Sequence, residues 1–263
     1  MPYAVNDGTK IYWEESGVGE PILLIMGLGY TLEMWYRSRS VLSKHYRTIL
    51  FDNRGVGKSD APAGPYSIAT MAGDAASVMT AAGCASAHVI GVSMGGMIAQ
   101  EVALAHPERV RSLILGCTAA GGPHAIPANP EVLQALMARG AMTPEDGIRA
   151  MVPFIYDEST APARLEEDLE IRRRTFPPAA SYFSQIQGIM AFESYSRLPQ
   201  LKVPTLVIHG ENDRLVPPQN GRLIAERIPG ARLVMLPGAS HIFVTDQEAP
   251  AHQAVLSFLA EFN

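Results

Sequence analysis

Short, continuous apolar runs recur in the first and last parts of the chain, and several end at or just before a glycine. Such runs are typical of strands that are buried on both faces, as in a parallel sheet. An alternating apolar and polar stretch near the start predicts one further strand. The predicted strands cover residues 10–14, 21–26, 48–51, 88–92, 113–116, 204–210 and 232–236.

Helical periodicity fills most of the segments between these strands. The predicted helices cover residues 68–82, 95–105, 220–228 and 248–262. Because strands and helices alternate, we predict an α/β fold in which crossover helices connect the strands of a mostly parallel sheet.

This alternation stops at the sequence GGP, residues 121–123, and resumes after residue 197. The intervening segment has helix-start signals and no buried-strand run. Asn129 and Thr143 are each followed by proline and then glutamate, the order expected at a helix N-terminus. We therefore predict one core domain built from residues 1–122 and 198–263, with residues 123–197 inserted as an all-helical cap, or lid.

Composition and charge narrow the classes of function. The 263 residues are 47% hydrophobic and carry a net charge of −5, which favours a folded domain and disfavours a nucleic-acid partner. The most apolar stretches, residues 21–30 and 89–99, are shorter than the ~20 residues of a membrane span, and residues 1–10 lack a signal-peptide pattern. We expect a soluble cytoplasmic protein without a membrane partner; the oligomeric state stays open.

The two cysteines, Cys84 and Cys117, stand apart from each other and from any Cys/His cluster. Zinc and iron–sulfur sites need such clusters, so we expect neither a metal nor another cofactor. Two small buried thiols are the expected state of these residues.

The sharpest chemical signal is the sequence GVSMGG at residues 91–96. It lies between a predicted buried strand and a predicted helix, which is the context of a G-x-S-x-G nucleophile elbow. We predict that Ser93 is a catalytic nucleophile. The simpler alternative is a glycine-rich turn in which Ser93 only caps the helix.

A serine hydroxyl is a weak nucleophile without a base. Among the seven histidines, His241 follows the last predicted strand, at the sheet edge where α/β proteins bind ligands. Asp213 follows the preceding strand, and we predict that it orients His241. Glu211 is the nearest rival acid, whereas Asp246 comes after the histidine.

Two backbone N–H groups are predicted to bind the oxyanion, those of Met94 and Leu28. Leu28 lies in the loop after the strand at residues 21–26. Methionine and aromatic side chains near the elbow and in the predicted cap indicate an apolar substrate pocket. The predicted substrate contacts are Met26, Gly27, Met97, Phe154, Phe183 and Met190.

With these motifs, the chain resembles the α/β-hydrolase superfamily over nearly its whole length. Within that superfamily it is similar to small bacterial serine esterases, enol-lactonases and carbon–carbon bond hydrolases with a helical lid. The resemblance implies an eight-stranded, mostly parallel sheet and the chain order serine, aspartate, histidine. The motifs are MGLG at 26–29, DNRGVGKS at 52–59, GVSMGG at 91–96, HGENDRLVP at 209–217 and GASH at 238–241.

One position departs from the family pattern. Most relatives have histidine where this chain has Met26, directly before the glycine of the oxyanion loop. The substitution leaves the backbone donor in place and makes the pocket floor more apolar.

We expect a serine hydrolase that cleaves a carboxylic ester of a small, largely apolar substrate through an acyl-enzyme. One alternative is an enol-lactone or carbon–carbon bond hydrolase of aromatic-compound degradation. Its substrates carry carboxylates and would need an arginine in the pocket. The other alternative is a ligand receptor on a hydrolase scaffold. The candidates for the arginine that would bind a substrate carboxylate are Arg54, Arg164, Arg172, Arg173, Arg174 and Arg214. A run of arginines such as residues 172–174 most often forms a solvated helix face.

Overall fold

The computed structural model describes residues 2–262. Its strands form one eight-stranded sheet. They are β1 (Tyr3–Asn6), β2 (Thr9–Ser16), β3 (Pro21–Ile25), β4 (Arg47–Phe51), β5 (Ala87–Val92), β6 (Val110–Gly116), β7 (Thr205–Gly210) and β8 (Arg232–Leu236). The order across the sheet is β1-β2-β4-β3-β5-β6-β7-β8.

The pairing of β2 with β1 and with β4 is antiparallel, and every other pairing in this sheet is parallel. The predicted α/β class and the eight-stranded, mostly parallel sheet are therefore confirmed. The sequence analysis overlooked β1. Its signal was the pair Asp7 and Gly8, which both have positive φ and form the two-residue turn into β2.

Helices cover both faces of the sheet. They are α1 (Tyr36–Leu42), α2 (Ile68–Ala81), α3 (Met94–Ala105), α4 (Pro130–Arg139), α5 (Pro144–Ile155), α6 (Pro162–Arg174), α7 (Ala179–Ala191), α8 (Gln219–Arg227), α9 (Phe243–Asp246) and α10 (Glu248–Leu259). Among residues 2–262, no helix combines the length and the apolar character needed to cross a membrane.

The central strand β3 shows how the core is divided. Leu23 and Ile25 pack with residues of α2, α3 and α8 on one face, whereas Ile22 and Leu24 pack with residues of α1 and α10 on the other. Burial on both faces explains why these strands read as unbroken apolar runs in the sequence.

The segment between β6 and β7 contains α4, α5, α6 and α7 and, within the described chain, no strand. These helices lie inside the proposed cap, residues 123–197. Proline occupies the first turn of α4, α5 and α6. The hydroxyl of Thr143 accepts a hydrogen bond from the Asp146 N–H and so caps α5, as its sequence position predicts.

Candidate active site

Ser93 occupies a strained turn between the end of β5 and the start of α3. Its backbone has φ 56° and ψ −124°, a conformation that is rare for a residue other than glycine. The Ser93 N–H donates to the carbonyl of Gly116 at 2.9 Å, which ties the turn to β6. The Ser93 side chain makes no capping hydrogen bond with α3, so the simple capping alternative does not describe this turn.

Two glycines let this turn pack closely against the sheet. A methyl group on Gly95 would overlap the carbonyl oxygen of Ile25, and one on Gly91 would overlap the carbonyl oxygen of Gly95. Both positions therefore need glycine for steric reasons.

Asp213 and His241 lie in the loops that follow β7 and β8, and they meet at the carboxyl edge of the sheet. The Nδ1 atom of His241 is 2.8 Å from Oδ2 of Asp213. Oδ1 of Asp213 accepts hydrogen bonds from the N–H groups of Leu215 and Val216, at 2.9 and 2.8 Å. Each oxygen of this buried carboxylate therefore has a fixed donor.

The protonation of the pair follows from these contacts. Burial alone raises the pKa of Asp213, but the neighbouring His241 and the hydrogen bond with His209 outweigh burial and hold that pKa at about 2. The carboxylate is therefore ionised at neutral pH. An ionised Asp213 keeps the proton of His241 on Nδ1 and leaves Nε2 able to accept another.

His209 is a further site residue, which was not selected from the sequence. It is fully buried, and its Nε2 lies 2.8 Å from the Val216 carbonyl and 3.3 Å from Oδ2 of Asp213. Donation from Nε2 to Val216 fixes the loop whose amides bind Asp213. The overlooked signal was the HGEND sequence, which places a histidine at the end of β7 four residues before the acid.

Cys117, His209 and Asp213 bring potential metal-ligating atoms within 4.8 Å of one another. The hydrogen bonds described above already occupy Nε2 of His209 and both oxygens of Asp213. Burial raises the pKa of the Cys117 thiol well above its usual value, so the thiol stays protonated. Both cysteines are free and buried, as expected.

A cavity of about 230 Å³ opens beside Ser93. It is smaller than the ~300–1,000 Å³ of sites for drug-sized ligands, so it suits a small substrate. Aliphatic side chains of α4, α5 and α7, such as Leu133, Met151 and Ile189, form much of the wall. The predicted site residues on the wall are Met26, Gly27, Leu28, Ser93, Met94, Met97 and His241.

The two predicted oxyanion donors come from the loop after β3 and from the first turn of α3, and both residues line the cavity. A methyl group on Gly27 would lie 3.6 Å from Oγ of Ser93, so the loop that carries Leu28 passes beside this atom. The Leu28 N–H has no acceptor among residues 2–262. The Met94 N–H is the first of α3 and has no intrahelical acceptor.

Three predicted substrate contacts, Phe154, Phe183 and Met190, are not among the residues that line this cavity. On α5 and α7 the residues that reach the cavity are Met151, Ile155 and Ile189, which lie at other helical positions than the predicted ones. Phe154 packs under the guanidinium of Arg214, and Phe183 packs edge-on against Tyr182. Met190 is 76% exposed.

The candidate arginines also differ from expectation. Arg172 is fully buried rather than solvated, and its guanidinium stacks on Tyr30 and Tyr156. None of the arginines proposed from the sequence lies on the described cavity wall. The others form ion pairs instead, which are Arg54 with Asp74, Arg164 with Glu248, Arg173 with Glu145, Arg174 with Glu33 and Arg214 with Glu131.

The arginine that does line the cavity is Arg139, which the sequence analysis did not select. It ends α4 on the same stripe as the inward residues Val132 and Leu136. An arginine at the helical spacing of an apolar stripe was the signal for this residue.

Comparison with known proteins agrees with this geometry. Residues 20–247 match the family model described as the alpha/beta hydrolase fold. A protein of Azorhizobium caulinodans, provisionally named carbamate hydrolase RutD, is 35% identical over 100% of both chains. The enol-lactonase of Burkholderia xenovorans LB400 superposes with a TM-score of 0.88, at 31% identity, over 98% of this chain and 100% of its own.

A thermophilic esterase from Thermogutta terrifontis gives a TM-score of 0.84, at 27% identity, over 99% of this chain and 97% of its own. Sequence, fold and site arrangement thus lead to one assignment. This chain belongs to the α/β-hydrolase family and is a hydrolase of that family.

Proposed function

We propose that this hydrolase cleaves carboxylic esters of small substrates through an acyl-enzyme, with Ser93, His241 and Asp213 as its catalytic residues. One observation carries the proposal. Ser93, held in a strained elbow, borders the same cavity as His241, and His241 is held at Nδ1 by a buried, ionised carboxylate.

Acylation uses the free nitrogen of His241. Nε2 takes the proton of Ser93 as Oγ attacks the acyl carbon and forms the Oγ–C bond. The N–H groups of Leu28 and Met94 bind the resulting oxyanion, each worth roughly 10²–10³ in rate. The C–O bond to the alcohol then breaks, and the alcohol leaves with the proton from His241.

Deacylation repeats these steps with water. His241 takes a proton from water as the water oxygen attacks the acyl carbon. The Oγ–C bond breaks, Ser93 regains the proton, and the carboxylic acid leaves. Asp213 stays ionised throughout and stabilises the imidazolium in both halves.

The apolar wall supports an ester with a short hydrocarbon part, and the solved enol-lactonase and esterase support the same acyl chemistry, since a lactone is an internal ester. A second candidate is carbamate cleavage, which is favoured by the full-length relative provisionally named for it. Nitrogen lone-pair donation makes a carbamate carbonyl less electrophilic than an ester carbonyl. A panel of methyl esters, lactones and methyl carbamates with matched chains would rank these substrates.

The direct test replaces the nucleophile. Ser93→Ala should lower kcat for p-nitrophenyl butyrate by at least about 10⁴-fold, as loss of a serine nucleophile does elsewhere. Ser196→Ala removes an exposed hydroxyl on a surface turn and should leave kcat unchanged. Turnover near the wild-type rate in pure Ser93→Ala protein would overturn the proposal. A single burst without further turnover in the wild type would favour the receptor alternative.

A further inference from the structure

Arg139 is a buried cation with part of its hydrogen-bonding capacity unused. Only 3% of the residue is exposed, and it borders the cavity that also holds Ser93 and His241. Among residues 2–262, its Nε and Nη2 atoms find no hydrogen-bond partner. Leaving a charged donor unsatisfied in the interior is costly, so the site calls for an acceptor that the chain itself does not supply.

Aromatic rings hold the guanidinium of Arg139 in place. Its Cζ lies 5.1 Å from the ring centroids of Tyr30 and Phe176 and 4.9 Å from that of Tyr182. Such ring contacts stabilise the positive charge and order the side chain. They do not replace an oxygen acceptor for the N–H groups, so the arginine is pre-oriented but still free to donate.

The local charge is also unbalanced. Among residues 2–262, no carboxylate forms an ion pair with Arg139. Arg172, a second buried arginine, lies 4.6 Å from the same Tyr30 ring, and its three guanidinium nitrogens also lack partners. The nearby buried acid, Asp168, accepts instead from Tyr36, Tyr156 and Thr245.

We propose that Arg139 is a carboxylate-binding residue of the substrate cavity, and that the natural substrate is a small ester or lactone that carries a carboxylate away from the scissile bond. A carboxylate matches the two parallel donors of a guanidinium in geometry and charge. The apolar wall between this end of the cavity and Ser93 then accommodates the hydrocarbon chain that separates the two groups. This inference rests on the proposed function for the identity of the reacting group.

The test compares two esters with the same leaving group. Wild-type protein is assayed for methanol release from methyl hydrogen succinate, glutarate and adipate, and from the corresponding dimethyl esters. At pH 7.5, the first set carries one carboxylate and the second carries none. For at least one chain length, we expect the kcat/KM of the monoanion to exceed that of its diester. Arg139→Gln should lower the ratio of these two kcat/KM values about 10- to 100-fold.

Two further variants separate the role of Arg139 from general effects. Arg139→Lys keeps the charge but loses the planar fork, so its ratio should lie between those of the wild type and Arg139→Gln. Arg149→Gln removes an exposed arginine of the same cap, paired only with Glu145, and should keep the wild-type ratio. Circular dichroism melting checks that each variant is folded.

Binding without turnover distinguishes the two proposals. Calorimetry on Ser93→Ala protein should show that a monoanion binds. Adding Arg139→Gln to this variant should weaken that binding about 10- to 100-fold. Equal ratios in wild type and Arg139→Gln, with ester turnover present, would overturn the carboxylate site and leave the esterase proposal standing. Binding that depends on Arg139 without any ester turnover would do the reverse.

Discussion

The core and the proposed cap, residues 123–197, bury charge in different ways. In the core, Asp213 has donors at both oxygens, and Asp74 receives two hydrogen bonds from Arg54, at 2.6 and 2.7 Å. In the cap, Arg139 and Arg172 are as deeply buried, yet their guanidinium groups are held by aromatic rings and keep donors without acceptors.

The difference separates two tasks. A closed network in the core fixes the geometry of His241 before any substrate arrives, which is what a preorganised site requires. An open network in the cap is completed only by a ligand, so its unsatisfied donors favour binding of a matching anion. Under the two proposals made above, the core network serves to position His241 and the proposed cap serves to select the substrate.

The largest effect should come from opening the core network at Asp213. In Asp213→Asn, the side-chain amide can donate to Nδ1 of His241, which moves the imidazole proton to Nε2 and blocks acceptance of the Ser93 proton. We expect kcat for an ester to fall by about 10⁴-fold. The measurement is steady-state hydrolysis of p-nitrophenyl butyrate.

Asp246→Asn is the matched control. Asp246 is a half-buried carboxylate close to His241 in sequence, but it accepts from Ser240 and Thr160 rather than from the imidazole. We expect its kcat to stay within about ten-fold of the wild type. Similar losses in both variants would mean that Asp213 has no special role.

The next effect concerns stability. Arg54→Met would leave the fully buried Asp74 with only the Asn6 amide as a partner, 2.8 Å away. Breaking a buried ion pair by removing one partner costs about 3–5 kcal/mol, so we expect a loss of this size in the free energy of unfolding. Urea denaturation measures it, and a second change, Asp74→Leu, should restore much of the loss.

Arg172→Met is the counterpart in the cap. Because the guanidinium of Arg172 makes no hydrogen bonds, replacing it removes stacking contacts with Tyr30 and Tyr156 but leaves no carboxylate without its donor. We expect a change of less than about 1 kcal/mol in the free energy of unfolding. A loss as large as that of Arg54→Met would erase the distinction between the two regions.

The core and the proposed cap also differ in how well the sequence predicts them. Strands buried on both faces are continuous apolar runs, so the sheet could be read from residues such as those of β3 and β7. The elbow at Ser93 could be found because its glycines, strand and helix are neighbours in sequence. Among the described strands, β1 was overlooked, since its four residues alternate in burial and depend on the Asp7–Gly8 turn.

The cap resisted prediction because its lining depends on how helices rotate against the core. Met190 and Ile189 are adjacent in sequence, yet one is exposed and the other lines the cavity. Arg139 and Arg172 were hidden by the ordinary expectation that arginines are solvated. That expectation fails where aromatic residues distant in sequence, such as Tyr30 and Tyr182, converge on the charge.

The smallest effect is on acid stability. In the folded protein the pKa of Asp213 is lowered from its usual 3.8 to about 2. Between these values the folded state binds fewer protons than the unfolded state. The stability that ionised Asp213 contributes is therefore complete above about pH 4 and is lost as the pH falls through 2.

Removing this carboxylate should make the free energy of unfolding less dependent on pH below pH 4. Between pH 4 and pH 2.5, the free energy of unfolding of Asp213→Asn should fall less steeply than that of the wild type, by up to about 1.4 kcal/mol per pH unit. Urea denaturation at several pH values gives both slopes. Arg139→Gln should keep the wild-type slope, because no carboxylate pairs with Arg139 among the described residues. Parallel curves for Asp213→Asn and the wild type would show that the core network does not hold Asp213 ionised.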